Sequence, residues 1–168
     1  MSLHAKLVAL AASYIGIKEA GGDNKGPEVE QFQKAVDGRA QGEPWCMAFA
    51  QYCISLIAES RIYPSEHCMT VWNKSPDDMR SSLPSAGFLV IWNYTGSAAG
   101  HVGIIEEVIT TGSTIRALVT IEGNTAAPND GTEVERNGDG VHRRVRNIHI
   151  VGKMQIMGYI DPFKEAGK

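Results

Sequence analysis

The sequence predicts an α+β fold, with N-terminal helices packed on an antiparallel β-sheet. Three observations predict it. The first half of the chain repeats its apolar residues at helical spacing, and the second half reads as strands. The two halves do not interleave as βαβ units. Eighteen glycines and seven prolines imply more turns than an all-helical bundle needs.

Taken in order, residues 3–15 place Leu3, Leu7, Leu10, Ala11 and Tyr14 on one helical face, and Gly16 and then Gly21-Gly22 stop the continuation. Pro27 suits a first helical position, and residues 27–36 put Val29, Phe32 and Val36 on one side. Gly38 to Pro44 reads as a polar loop. Residues 45–59 form the longest apolar helical stretch, with Phe49, Tyr52, Cys53, Leu56 and Ile57, and residues 65–73 form a short helix holding Met69 and Trp72. After Pro84 the period changes. Strands are expected at Phe88–Trp92, Val102–Ile109, Ile115–Ile121, Val141–Val145 and Lys153–Ile160, with a turn at Asn137-Gly138-Asp139-Gly140.

At 168 residues, 1–168 is expected to be one domain. Sixteen Lys and Arg against nineteen Asp and Glu give a net charge of −3, which disfavours nucleic acid as a partner. No segment approaches the roughly 20 apolar residues of a membrane span. The N-terminal stretch lacks the pattern of a signal peptide and reads as an amphipathic helix.

Three cysteines cannot close a complete disulfide framework. Cys46 and Cys53, seven residues apart on one helix, would stand roughly 10 Å apart along its axis, too far to bridge. Cys46 opens the apolar helix in Pro44-Trp45-Cys46. There the macrodipole and the unpaired N–H groups of the first turn favour the nucleophilic thiolate. Cys53, two turns inside, reads as core, and Cys68 lacks the same placement.

A thiolate nucleophile calls for a histidine partner. His101 is the candidate, at the start of a strand and flanked by glycines in Gly100-His101-Val102-Gly103. His4, His67, His142 and His149 are weaker, the last two among arginines that read as a solvated strand edge. Glu122, ending an apolar strand, is the candidate to orient the imidazole. Asn124 would share its side if the strand persisted. Glu19, Trp45 and Trp92 are candidates for contact with substrate, against a solvated helix end for Glu19 and core packing for both tryptophans. Arg143, Arg144 and Arg146 offer charge to an anionic partner or simply face water.

Trp45-Cys46-Met47-Ala48-Phe49, Gly100-His101-Val102-Gly103-Ile104 and Glu122-Gly123-Asn124, in that order, resemble the CHAP family of cysteine, histidine-dependent amidohydrolases/peptidases. These are papain-like relatives of NlpC-type murein endopeptidases. Ile15–Gly22 and Pro84–Trp92 share the likeness, which covers roughly residues 10–160. The resemblance implies a papain-like fold and hydrolysis of amide or peptide bonds in peptidoglycan stem peptides, by an endopeptidase or an N-acetylmuramoyl-L-alanine amidase. It implies Cys46 as nucleophile, His101 as general base and acid, Glu122 as the orienting residue and Asn124 in support. Many members carry Gln just before the cysteine where this chain has Trp45, which leaves one oxyanion donor unassigned. Asp23 and Asn24 do not reproduce a calcium-ligand series, so no metal and no other cofactor is expected. The expected setting is the bacterial periplasm or cell wall, for a secreted or phage-delivered monomer. Two alternatives remain open: a non-catalytic wall-binding or interaction module of the same fold, and an amidase acting on a small peptide conjugate outside murein.

Overall fold

The computed structural model describes residues 1–127, 138–148 and 153–167. Four helices precede the main strands: α1 (Leu3–Ser13), α2 (Pro27–Asp37), α3 (Cys46–Ile57) and α4 (Cys68–Lys74). A short 3₁₀ turn at Asp77–Met79 leads into β1 (Arg80–Ser81), then β2 (Leu89–Tyr94), β3 (Gly100–Thr111), β4 (Thr114–Thr125), β5 (Gly140–Asn147) and β6 (Met154–Ile160). Among the described residues these six strands form one sheet in the order β1-β6-β2-β3-β4-β5, with every pairing antiparallel. The chain is α+β as expected. His149 and Asn137, the latter in the anticipated turn, lie outside the described residues.

Local chemistry sets the helix ends. Ser2 Oγ accepts from Ala5 N at the start of α1. Pro27 begins α2, and Gly38, left-handed at φ 83°, ends it. The helix predicted over 45–59 is two residues shorter at its C-terminal end, stopping at Ile57. The strand β1 went unanticipated because two residues carry no periodicity; it exists by pairing with β6.

The sheet buries both faces. Leu89, Ile91, Val102, Ile104, Ile121 and Val141 pack toward the helices with Phe32, Phe49 and Met47. The alternate residues Val90, Trp92, Ile105 and Leu118 build a second cluster with Met154 and Tyr159. Tyr14, Phe32, Phe49 and Tyr52 form edge-on or tilted aromatic pairs at 5.0–6.1 Å that fasten α1 and α2 to α3. Such pairs contribute about 0.5–1.5 kcal/mol each beyond burial. The result is a fixed start for α3, and that start carries Cys46.

Candidate active site

Cys46 is the first residue of α3 and is 6% exposed. Its first-turn position leaves backbone N–H groups without intrahelical acceptors beside the sulfur. His101 is the second residue of β3, so its ring stands at the strand's end within reach of that helix terminus. His101 and Cys46 influence one another's titration: the ring lowers the thiol pKa and the thiol raises that of the ring. His101 Nε2 lies 2.7 Å from Glu122 Oε2 on β4, which leaves Nδ1 to face the sulfur. Trp92 stacks on the ring at 5.8 Å between centroids and fixes its plane.

Glu122 has no exposed surface, and a buried carboxylate survives only when paired and hydrogen-bonded. Arg146 on β5 supplies the pairing through a two-pronged bond, Nε to Oε1 at 2.8 Å and Nη2 to Oε2 at 2.5 Å, and Thr120 Oγ1 donates to Oε1 at 2.6 Å. Burial would raise the Glu122 pKa, but Arg146 and His101 outweigh it and hold the carboxyl far below its usual range. Burial likewise opposes the charged form of His101, yet the Cys46 thiol and the bond to Glu122 lift it to about 9.

Cys68, the first residue of α4, lies with its sulfur 3.7 Å from that of Cys46. The Cys68 S–H donates to Cys46 and, against the cost of burial, holds Cys46 well below the ordinary thiol range, with His101 adding to the effect; Cys68 itself is held protonated. Gly100 makes this approach possible, since a Cβ there would come within 2.9 Å of Cys68 Cβ and 2.6 Å of Trp92 O. Gly103 does the same for Glu122, whose Cγ a Cβ would meet at 3.1 Å.

The other sequence candidates fall elsewhere. Asn124 does not reach His101. The β4–β5 register shifts between Glu122 and Thr125, and Asn124 turns left-handed at φ 52°, so the alternation that would have aligned it with Glu122 is broken. Its amide is satisfied with Oδ1 accepting from Trp45 N at 3.3 Å and Nδ2 donating to Gly138 O at 2.7 Å, so it secures the residue that leads into α3. Trp45 and Trp92 are both fully buried, which corrects the expectation that they line a groove. Trp45 Nε1 donates to Glu19 Oε1 at 2.8 Å, so Glu19 braces the indole and Trp45 Nε1 is not free to serve an oxyanion. Nor is the arginine strand simply solvated: Arg146 holds Glu122, Arg143 grips Glu106, and Arg144 donates to the carbonyls of Ala126 and Ala127. Sequence reasoning missed Arg146 and Cys68. The alternation of β5 carried a signal for Arg146, on the same side as the strand position opposite Glu122; Cys68 carried one as the first residue of a helix.

Cys46, Cys68 and His101 open on a cavity of about 470 Å³, walled also by Glu43, Glu66 and Asn24. Among the described residues, no three His, Cys, Asp or Glu side chains are grouped to hold a metal ion.

The profile of the CHAP domain matches residues 38–124, just over half of the chain and the span from before Cys46 to Asn124. The chain belongs to the CHAP family. No curated protein and no solved structure matches it. CHAP domains are papain-like and are typically amidase- or peptidase-type hydrolases with peptidoglycan-related substrates. In this CHAP domain the matched segment contains Cys46, His101 and Glu122, while Arg146 lies beyond it. No helix among the described residues is long and apolar enough to cross a membrane.

Proposed function

We propose that this CHAP domain is a cysteine hydrolase that cleaves amide bonds in the peptide part of bacterial peptidoglycan, with Cys46 as nucleophile. The observation that carries the reading is that Cys46 and His101 line one cavity, with the His101 ring held behind it by hydrogen bonds through Glu122 to Arg146.

In the reaction the Cys46 thiolate attacks the scissile carbonyl carbon, and the oxyanion is met by backbone N–H groups at the start of α3. His101, held as imidazolium, gives its Nδ1 proton to the leaving amine as the C–N bond breaks. A thioester and a neutral imidazole remain. The imidazole then takes a proton from water, the hydroxide adds to the thioester, and the carboxylic acid departs as the thiolate and imidazolium are restored. Glu122 fixes the ring and stabilises its cation without accepting the proton, because Arg146 and Thr120 already occupy its oxygens. Asn124 acts at one remove, through Trp45 and the helix start.

The test is loss of turbidity on purified murein. Wild type is expected to solubilise the wall, and Cys46→Ala and His101→Ala to leave it intact while keeping the fold by circular dichroism. A Cys46→Ala protein as active as wild type overturns the reading. The masses of fragments released from defined muropeptides assign the cleaved bond as an amidase or an endopeptidase site.

A further inference from the structure

Two of the three cysteines meet. The sulfurs of Cys46 and Cys68 stand 3.7 Å apart, a direct contact. Both residues line the cavity, so a molecule entering it meets the pair together. Cys53, the third, is fully buried inside α3 and does not line that cavity.

The contact is built from more than one element. Gln51 on α3 donates through Nε2 to the carbonyls of Tyr63 (3.0 Å) and Ser65 (2.8 Å), tying the segment before α4 to the helix that carries Cys46. Gly100 on β3 fits closely against Cys68, where a Cβ would come within 2.9 Å of the Cys68 Cβ. Hydrogen bonding alone does not call for sulfur at position 68. A thiol is a weak donor, and a serine hydroxyl would support the Cys46 thiolate as well or better. What a thiol adds is the capacity for a covalent bond to its neighbour. A disulfide spans about 2.05 Å, so closing the pair brings the sulfurs together by less than about 2 Å, a shift that rotations about the two Cα–Cβ bonds supply.

We propose that Cys46 and Cys68 form a reversible disulfide when a hydroperoxide enters the cavity, and that this bond switches the enzyme off. The consequence for activity rests on the hydrolase reading; the bond itself does not. Cys68 and His101 hold Cys46 well below the ordinary thiol range, so Cys46 is the attacking thiolate, while Cys68 keeps its proton until the second step. The thiolate takes one peroxide oxygen as the O–O bond breaks. The departing hydroxide takes a proton from the His101 imidazolium and leaves as water. Cys46 is then a sulfenic acid. The Cys68 sulfur attacks the Cys46 sulfur, the S–O bond breaks, and hydroxide leaves with the Cys68 proton as a second water. Two thiols lose two electrons, and one peroxide is reduced to two waters. A small thiol reverses the change by attacking the disulfide and becoming oxidised in turn.

The probe is hydrogen peroxide, added to the whole chain and then removed. The protein is denatured, its remaining thiols are alkylated with iodoacetamide, and the unreduced tryptic peptides are weighed. Cys46 and Cys53 share the peptide between Arg39 and Arg61, so fragmentation of the linked pair places the bond. Murein solubilisation is read in parallel, each protein against its own untreated rate. The expected result is a peptide linked through Cys46 and Cys68, with Cys53 alkylated and activity reduced about tenfold or more until dithiothreitol restores it. Cys68→Ser keeps a donor beside Cys46 but lacks the second thiol, so its Cys46 should go on to the sulfinic acid and its loss should persist in dithiothreitol. Wild-type Cys46 that reaches sulfinic acid without a linked peptide overturns the proposal. So does a Cys46 that peroxide leaves untouched, a link through Cys53, or a Cys68→Ser protein that recovers as wild type does. Undiminished activity in fully linked protein overturns the switch. A Cys46–Cys68 link in a protein that never solubilises murein supports the disulfide and overturns the hydrolase reading.

Discussion

Two cysteines on one helix show how position sets chemistry. Cys46 and Cys53 are both buried and stand two turns apart on α3. At Cys53 burial is unopposed and pushes the thiol far above its ordinary range. At Cys46 the same burial is outweighed by a donating Cys68, a cationic His101 and the helix start. The first turn of α3 is thus a reactive terminus, and two turns on, the same helix is core. The difference lies in what three other segments bring to the first turn.

The sharpest way to break this comparison is to exchange the two roles. Cys46→Ala is expected to lower the rate of murein solubilisation by about 10³-fold or more while leaving the urea midpoint near wild type. Cys53→Ala should keep the activity and lose about 1–2 kcal/mol of stability. The reverse pattern would make Cys46 the structural thiol.

Next in size is the support behind His101. Glu122→Ala leaves the partly buried Arg146 without its main partner, and a loss of about 2–4 kcal/mol is expected by urea denaturation. Glu122→Gln, which keeps the shape, should cost less stability yet still reduce kcat.

The pH profile sharpens the same contrast. His101 must hold its proton to deliver it to the leaving amine, so kcat/KM should fall as pH rises through about 9. Because that value is raised above the unfolded one of about 6.5, the stability His101 contributes is complete below about 6.5 and is lost on going up through 9. Glu122 behaves oppositely: its contribution is present above the unfolded carboxyl value of about 4.3 and disappears only in strong acid. A urea series from pH 5 to 10, comparing wild type with His101→Ala, reads the first effect as a narrowing gap.

The smallest expected effects come from the outer contacts. Cys68→Ala removes the donor to Cys46 and should move the acid limb of kcat/KM upward by about one pH unit at most. Trp45→Phe keeps the packing and loses the bond to Glu19, for about 1 kcal/mol in a thermal melt.

Most of this organisation was legible in the sequence where a residue's role depends on its own element. The helical spacing, the change of period after Pro84 and the order of Cys46, His101 and Glu122 are local, and each element except β1 forms near its anticipated bounds. What depends on register was not legible. Asn124 was aligned with Glu122 by simple alternation, and the shift before Thr125 redirected it to Trp45. Arg146 read as one of several surface charges until pairing of β4 with β5 set it against a buried carboxylate. Cys68 and Glu66 reach the site only through the fold of the segment between α3 and α4, whose path no periodicity encodes. The tryptophans were ambiguous for a different reason: an indole suits a groove or a core equally, and only packing decides.

The claim on which the rest depends is that the Cys46 sulfur is ionised in the folded protein before any substrate arrives. Iodoacetamide labelling across pH 5 to 9, with the modified peptides weighed, tests it directly. The account predicts that Cys46 is alkylated rapidly at pH 6, at a rate already close to its plateau, while Cys53 stays unlabelled in the native state. A Cys46 rate that is slow at pH 6 and climbs tenfold per unit toward an ordinary thiol value near 8.5 would contradict it.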